Sequence, residues 1–142
     1  MILRQVNPTD VQVIYEINSG IQAFPWTKKA LEEEMQNSQF KGWVFCDKVN
    51  ITGYLFARLG DDVSEIMTLG VSQHHQRTGA ATKLLNQLIS LGRDIILEVS
   101  DNNEGAVTLY KKMGFKIFNI RKSYYPDGSN ALCMKLNIAN PQ

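Results

Sequence analysis

The 142-residue chain is poor in several features, and each one excludes something. It has two cysteines, Cys46 and Cys133, and neither has a CxxC partner. That excludes a disulfide scaffold or a cysteine zinc site, and both read as buried structural thiols. Its two histidines, His74 and His75, are adjacent, a poor start for a metal site, so no metal is expected. Fifteen Lys+Arg against fourteen Asp+Glu leave a net charge of +1, without the excess that a non-specific nucleic-acid binder carries. The apolar runs stop far short of the ~18 residues of a membrane span, so no membrane partner is expected. The opening MILRQVNPTD has no apolar h-region and does not read as a secretory signal. With the unpaired cysteines, this points to a reducing cytoplasm. No linker, repeat or low-complexity tract divides the chain. At this length it reads as one domain over 1–142, against a usual size of ~100–150 residues.

What is present is ordinary globular material, 44% apolar and 20% charged. A chain this long buries roughly 68–70% of its unfolded surface, so it can fold without metal or disulfide. Ile2 to Val6 reads as a strand. Asn7 as N-cap, Pro8 and Asp10 then open an amphipathic helix carrying Val11, Ile14, Ile17 and Ile21 and ending near Gly20. Phe24-Pro25-Trp26 breaks it, and Thr27 caps a second helix with Leu31 and Met35. On that helix the consecutive Glu32, Glu33 and Glu34 read as a solvated face. Strands follow at Gly42–Asp47, Ile51–Leu59 and Glu65–Val71. A helix with Ala80, Leu84, Leu85, Leu88 and Leu91 comes next. Ile95 to Val99 is nearly all apolar and suggests a strand buried on both faces. A helix from Glu104 to Met113, closed by Gly114, leads to strand Phe115–Tyr124, a turn at Pro126-Asp127-Gly128, and strand Ala131–Leu136. The fold class is α+β: a mixed, mostly antiparallel sheet with one parallel βαβ unit and helices on both faces.

Gln76-Arg77-Thr78-Gly79-Ala80-Ala81 joins a strand to a helix. Gly79 permits a tight turn, and the alanines keep the helix start unobstructed. The first N–H groups of a helix have no internal partner and lie at its positive end. With Arg77 beside them they suit a pyrophosphate. No Gly-Lys-Ser/Thr follows, so this is not a Walker loop.

Q-R-x-G-x-A at 76–81, L-E-V at 97–99 and N-x-x-A-x-x-L-Y-x-x-x-G-F at 103–115 together resemble the GNAT family of acetyl-CoA-dependent N-acetyltransferases. Phe24-Pro25-Trp26-Thr27, Leu97-Glu98-Val99 and Arg121 through Tyr124-Tyr125-Pro126 are similar to its RimI group. These are bacterial enzymes that acetylate the N-terminal alanine of a small-subunit ribosomal protein. The resemblance implies a GNAT fold, acetyl-CoA as cosubstrate and a protein N-terminus as partner. It implies that the backbone of Leu69, Gly70 and Val71 contacts the acetyl and pantetheine portion. Arg77, Thr78, Gly79, Ala80, Ala81 and Thr82 would hold the pyrophosphate, and Asn103 the pantetheine arm. Glu98 matches the general base and Tyr110 the general acid. Ser100 stands where the group has arginine, and Ala81 where glycine is commoner.

Acetyl transfer needs a neutral amine. An α-amine, of pKa ~7.7–8.0, is partly neutral near pH 7, whereas lysine at ~10.4 is not. One carboxylate therefore suffices for a chain end. Glu98, in an apolar strand, is expected to be desolvated into a better base. Tyr110 can donate to the departing sulfur. Phe24 and Trp26 on one side and Tyr124 and Tyr125 on the other are candidate walls for an extended peptide. Two alternatives remain open at this point: acetylation of a small amine or lysine, and a non-catalytic acyl-CoA-binding regulatory module.

Overall fold

The computed structural model describes residues 2–138. Its strands are β1 (Ile2–Gln5), β2 (Phe40–Asp47), β3 (Asn50–Leu59), β4 (Val63–Val71), β5 (Asp94–Ser100), β6 (Lys116–Arg121) and β7 (Ala131–Leu136). Its helices are α1 (Val11–Ile21), α2 (Lys28–Met35), α3 (Ala80–Ile89) and α4 (Glu104–Lys112). Hydrogen bonds order the strands β1-β2-β3-β4-β5-β7-β6. The β4/β5 pair is parallel, with Val63, Ser64 and Glu65 opposite Asp94, Ile95 and Ile96. The β1/β2, β2/β3, β5/β7 and β6/β7 pairs are antiparallel. The mixed, mostly antiparallel sheet expected from the sequence is therefore present. The described residues form two compact units: 2–59 with Met67–Leu91, and Gly60–Ile66 with 92–138.

In the first unit, alternation along β2 and β3 sends successive side chains to opposite faces. Val44, Cys46, Tyr54 and Phe56 pack with Val11 and Ile14 of α1 and Leu31 of α2. On the other face a Cβ at Gly53 would lie 3.3 Å from Leu84 Cδ1, and the Lys83 ammonium sits 5.8 Å over the Phe45 ring. α3 thus covers that face through Ala80, Leu84, Leu85 and Leu88, all buried. Each leucine so buried contributes ~1.5–3 kcal/mol.

The helix starts behave as the sequence suggests. Pro8–Asp10 forms a 3₁₀ turn ahead of α1. The Asn7 N–H donates to Asp10 Oδ2 at 2.7 Å, and Arg4 binds both Asp10 oxygens at 2.8 and 3.0 Å. Thr27 Oγ1 accepts from the Ala30 N–H at 3.0 Å. One expectation fails. Glu34 is not on a solvated face but buried, and both its oxygens accept from Arg58 at 2.7 Å. Leu31 and Glu34, three apart, share the inward side of α2, so the carboxylate that follows the core leucine inward needs a cation waiting on β3.

In the second unit, Ile95, Leu97 and Val99 are buried, while Glu98 is exposed. β5 is therefore not buried on both faces. One face packs with α4, and Glu98 points from the other. Gly114, at φ +101°, ends the α4 segment as expected. β6 is shorter than Phe115–Tyr124. It is exposed throughout, shifts register between Ile117 and Asn119, and stops before Ser123, whose φ of +51° is left-handed. Tyr124 and Tyr125 consequently lie beyond the strand.

The Arg4–Asp10 contact yields a stability prediction. Arg4 hydrogen bonds hold the Asp10 carboxyl below its ordinary pKa, against an opposing effect of burial. A carboxyl depressed in the folded state stabilises above its unfolded pKa and loses that contribution as pH falls through the folded value. Asp10→Asn should cost about 1.5–3 kcal/mol at pH 7 in urea unfolding, the range for charged hydrogen bonds. The deficit should shrink as pH falls below about 4. A deficit equal at pH 7 and pH 3 contradicts this assignment.

Candidate active site

In the first unit the segment after β4 is held by its own side chains. Ser72 Oγ and His75 Nδ1 lie 2.6 Å apart, the Thr78 hydroxyl donates to the His75 carbonyl at 2.6 Å, and Gln76 Nε2 donates to the Val71 carbonyl at 3.2 Å. The backbone then turns through two left-handed residues, Arg77 at φ +64° and Gly79 at φ +86°. Gly79 is the N-cap of α3 and has no side chain to offer the helix. The starting N–H groups at Ala80, Ala81 and Thr82 thus meet a glycine where most helices carry a capping oxygen. A Cβ at position 79 would meet nothing within 4 Å, and Arg77 and Thr78 are exposed. An exposed cation and an uncapped positive helix end suit an anion, and the residues present fit a pyrophosphate. This bears out the sequence geometry of the loop, not its occupant.

Just upstream, the Leu69 carbonyl accepts from Gln22 Nε2 at 3.3 Å, and Gly70 and Val71 are buried. Gly70 is glycine for a packing reason. A Cβ there would stand 2.6 Å from the Tyr54 hydroxyl and 2.5 Å from Ile21 Cδ1. In the α1–α2 loop Phe24 is exposed and Trp26 half-buried. The Trp26 N–H donates to the side-chain oxygen of Asn18 at 2.8 Å.

In the second unit a polar row crosses the open face of β5. Glu98 Oε1 stands 3.5 Å from an Arg121 guanidinium nitrogen. That guanidinium lies 5.6 Å over the Tyr124 ring, and Tyr124 meets Tyr125 edge to face at 5.2 Å. Burial, then the negative charge of Glu98, raises the Tyr125 pKa above the ordinary phenol value. Glu98 also raises the pKa of Arg121. The turn under the tyrosines is braced by Asp127, whose Oδ1 accepts from the Ser129 N–H at 2.9 Å and hydroxyl at 2.6 Å. Those bonds hold the Asp127 pKa below the usual carboxylate value. Ser100, the departure noted in the sequence, donates to the Ser129 hydroxyl at 2.8 Å and so ties the end of β5 to this turn.

On α4, Asn103 is the N-cap, its side-chain oxygen accepting from the Ala106 N–H at 3.3 Å. Tyr110 is buried and packs edge to face on Phe115 at 5.4 Å. The structure therefore groups Glu98 with Tyr124 and Tyr125, and leaves Asn103 and Tyr110 on α4 of the same unit. It departs from the expectation for Glu98 in one respect: the carboxylate is exposed and ion-paired rather than desolvated. Two residues are not singled out by the sequence. Arg121 stands there only as part of a motif, and its pairing with Glu98 from two strands away is visible only in the β5-β7-β6 order. Asn18 lies on the apolar stripe of α1, where a polar residue among core positions is the one signal available.

A mixed, mostly antiparallel sheet whose fourth strand runs into a glycine turn and an uncapped helix defines the α+β fold class of the chain. The model of the acetyltransferase (GNAT) family matches residues 11–115. A ribosomal protein bS18-alanine N-acetyltransferase of Haemophilus ducreyi is 33% identical over 138 residues, covering 91% of this chain and 94% of its own. The enzyme of the same name from Escherichia coli K12 is 27% identical over 145 residues, covering 96% and 97%. The crystal structure of the Escherichia coli ribosomal-protein-S18-alanine N-acetyltransferase superposes with a TM-score of 0.91 at 27% identity, over 99% of this chain and 96% of that one. The chain belongs to the GNAT acetyltransferase family and is an acyltransferase by that membership. Among the described residues no helix is long and apolar enough to cross a membrane, and no group of three or more His, Cys, Asp or Glu side chains could hold a metal ion.

The open position of Gly79 gives a binding test. Gly79→Asp places a carboxylate against the helix N–H groups that would meet the phosphates. Coenzyme A affinity measured by calorimetry should fall about tenfold or more while the circular dichroism spectrum holds. Unchanged affinity removes the anion site from this loop.

Proposed function

We propose that this chain transfers the acetyl group of acetyl-CoA to the α-amine at a protein N-terminus, acting as one catalytic domain. The observation that carries the reading is the open-face row of Glu98, Arg121, Tyr124 and Tyr125, which combines a carboxylate reachable by an amine with tyrosines beside it. The names of the similar proteins, matched over nearly the whole chain, support the same acceptor class. On that likeness the acceptor is a small-subunit ribosomal protein with an N-terminal alanine.

Acetyl-CoA supplies the acetyl group as a thioester, held by Arg77 to Thr82 and by the backbone of Leu69, Gly70 and Val71. Asn103, whose side-chain oxygen caps α4, is assigned to the pantetheine arm by the same likeness. Glu98 accepts the proton of the incoming ammonium, directly or through a water. An α-amine of pKa ~7.7–8.0 asks little of this base, so an exposed carboxylate serves. Until the acceptor arrives, an Arg121 guanidinium nitrogen stands 3.5 Å from Glu98 Oε1 and holds the carboxylate in place on this face. The neutral amine attacks the thioester carbonyl and the C–S bond breaks. Tyr110, buried on α4, gives its hydroxyl proton to the departing sulfur. The proton shed by the new amide nitrogen goes to solvent, from which the phenolate is reprotonated. Transfer from a phenol (~10) to a thiolate (~8.5) is uphill by roughly 2 kcal/mol, tolerable for a proton that moves as the bond breaks. Tyr124 and Tyr125 can hydrogen-bond the backbone of the acceptor through their hydroxyls, and Phe24 and Trp26 contribute apolar surface to it.

Two substitutions test these roles. Glu98→Gln should lower turnover mainly at low pH and recover part of it at high pH, where the amine deprotonates unaided. A pH–rate profile parallel to that of the unsubstituted protein counts against the base. Tyr110→Phe should keep acetyl-CoA affinity within a few-fold and cut kcat by about 10²–10⁴. Lost binding with kcat intact makes Tyr110 a packing residue only.

A further inference from the structure

Asn18 lies on the inward side of α1 and is fully buried, yet every polar atom of its side chain has a partner. The Trp26 N–H, which can only donate, fixes the oxygen toward the α1–α2 loop at 2.8 Å. The amide nitrogen then faces the Tyr54 hydroxyl of β3 at 2.8 Å and Thr68 Oγ1 of β4 at 3.3 Å. Its backbone carbonyl accepts from the Gln22 N–H at 3.0 Å. Gln22 in turn reaches the Leu69 carbonyl. One residue thus holds both ends of the loop from Gln22 to Trp26 and anchors it to the strand that carries Leu69, Gly70 and Val71. Only Ala23, Phe24 and Pro25 lie between the two holding points.

A core asparagine with merely structural duties would need partners, but not these. The Trp26 amide is loop backbone, and the loop carries the two aromatic side chains assigned above to the acceptor. We propose that Asn18 is a positioning residue for acceptor binding: its amide sets the height of the Phe24–Trp26 loop over β4 and so fixes how tightly an acceptor chain end is held. The proposal rests on the acceptor reading of the previous section.

Asn18→Leu keeps volume and removes the acceptor for the Trp26 N–H. Steady-state kinetics with an alanine-first peptide should show the peptide KM raised about tenfold or more, with kcat and the acetyl-CoA KM within about threefold. An unchanged peptide KM for Asn18→Leu, or equal rises in both KM values, overturns the proposal. Hydrogen exchange of the unsubstituted protein decides the clamp without any turnover and without a foldable variant. The Trp26 amide should exchange about a hundredfold or more slowly than that of Ala23. Equal exchange overturns the proposal. Failure of the acceptor reading shows elsewhere, as an unsubstituted protein that leaves the peptide unacetylated while its Trp26 amide stays protected.

Discussion

The first unit is organised around a buried side-chain amide. Asn18 sits where an apolar residue would be cheaper, and leaving any one of its groups unpaired costs about 1–3 kcal/mol. Its hydrogen bonds are therefore obligatory, and they constrain three elements at once. Tyr54 must present its hydroxyl to α1, which places that hydroxyl against Gly70, where a Cβ would stand only 2.6 Å away. β4 can then carry nothing larger than glycine at this point. The loop after α1 is held to the same network through Trp26, and the strand through Thr68. The segment leading into Ser72 and the α3 turn thus starts from a fixed backbone, and so do the residues assigned to the cosubstrate.

The second unit solves a different problem. β5 uses one face for packing with α4 and leaves the other open, so Glu98 remains accessible although its neighbours Leu97 and Val99 are buried. Arg121 and the tyrosine pair give this face a defined polar row without closing it. An exposed ion pair of this kind contributes ~0–1 kcal/mol to stability. Its effect is to fix where the Glu98 carboxylate points. The Asp127–Ser129–Ser100 chain holds the turn beneath the tyrosines by local hydrogen bonds rather than by burial.

Much of the fold was legible because it is encoded by neighbours in sequence. Thr27 announces α2, Gly114 closes the α4 segment, and the glycine turn before α3 carries its left-handed φ as expected. The alternation of β2 and β3 and the leucine stripe of α3 are likewise local patterns. The features that escaped depend on distant partners. Glu34 looked solvated because Arg58, its cation, is 24 residues away on another element. Glu98 looked buried because an apolar run does not say which face will be covered. The early end of β6 is set by one left-handed serine, for which sequence gives little warning. The candidate site is legible mainly through motifs, which point to Glu98, Tyr110 and the Gly79 loop. Arg121 at Glu98, Ser100 at Ser129 and the Asn18 network needed the strand order and the packing.

The acceptor is the central chemical question, and the position of the new acetyl group answers it. Peptides with free or blocked N-termini, each also carrying an internal lysine, can be incubated with the protein and acetyl-CoA and mapped by tandem mass spectrometry. Acetyl groups are expected on free α-amines, foremost on alanine-first peptides, with blocked peptides left unmodified. Acetyl groups on lysine side chains beside unmodified free N-termini would contradict an N-terminal acceptor.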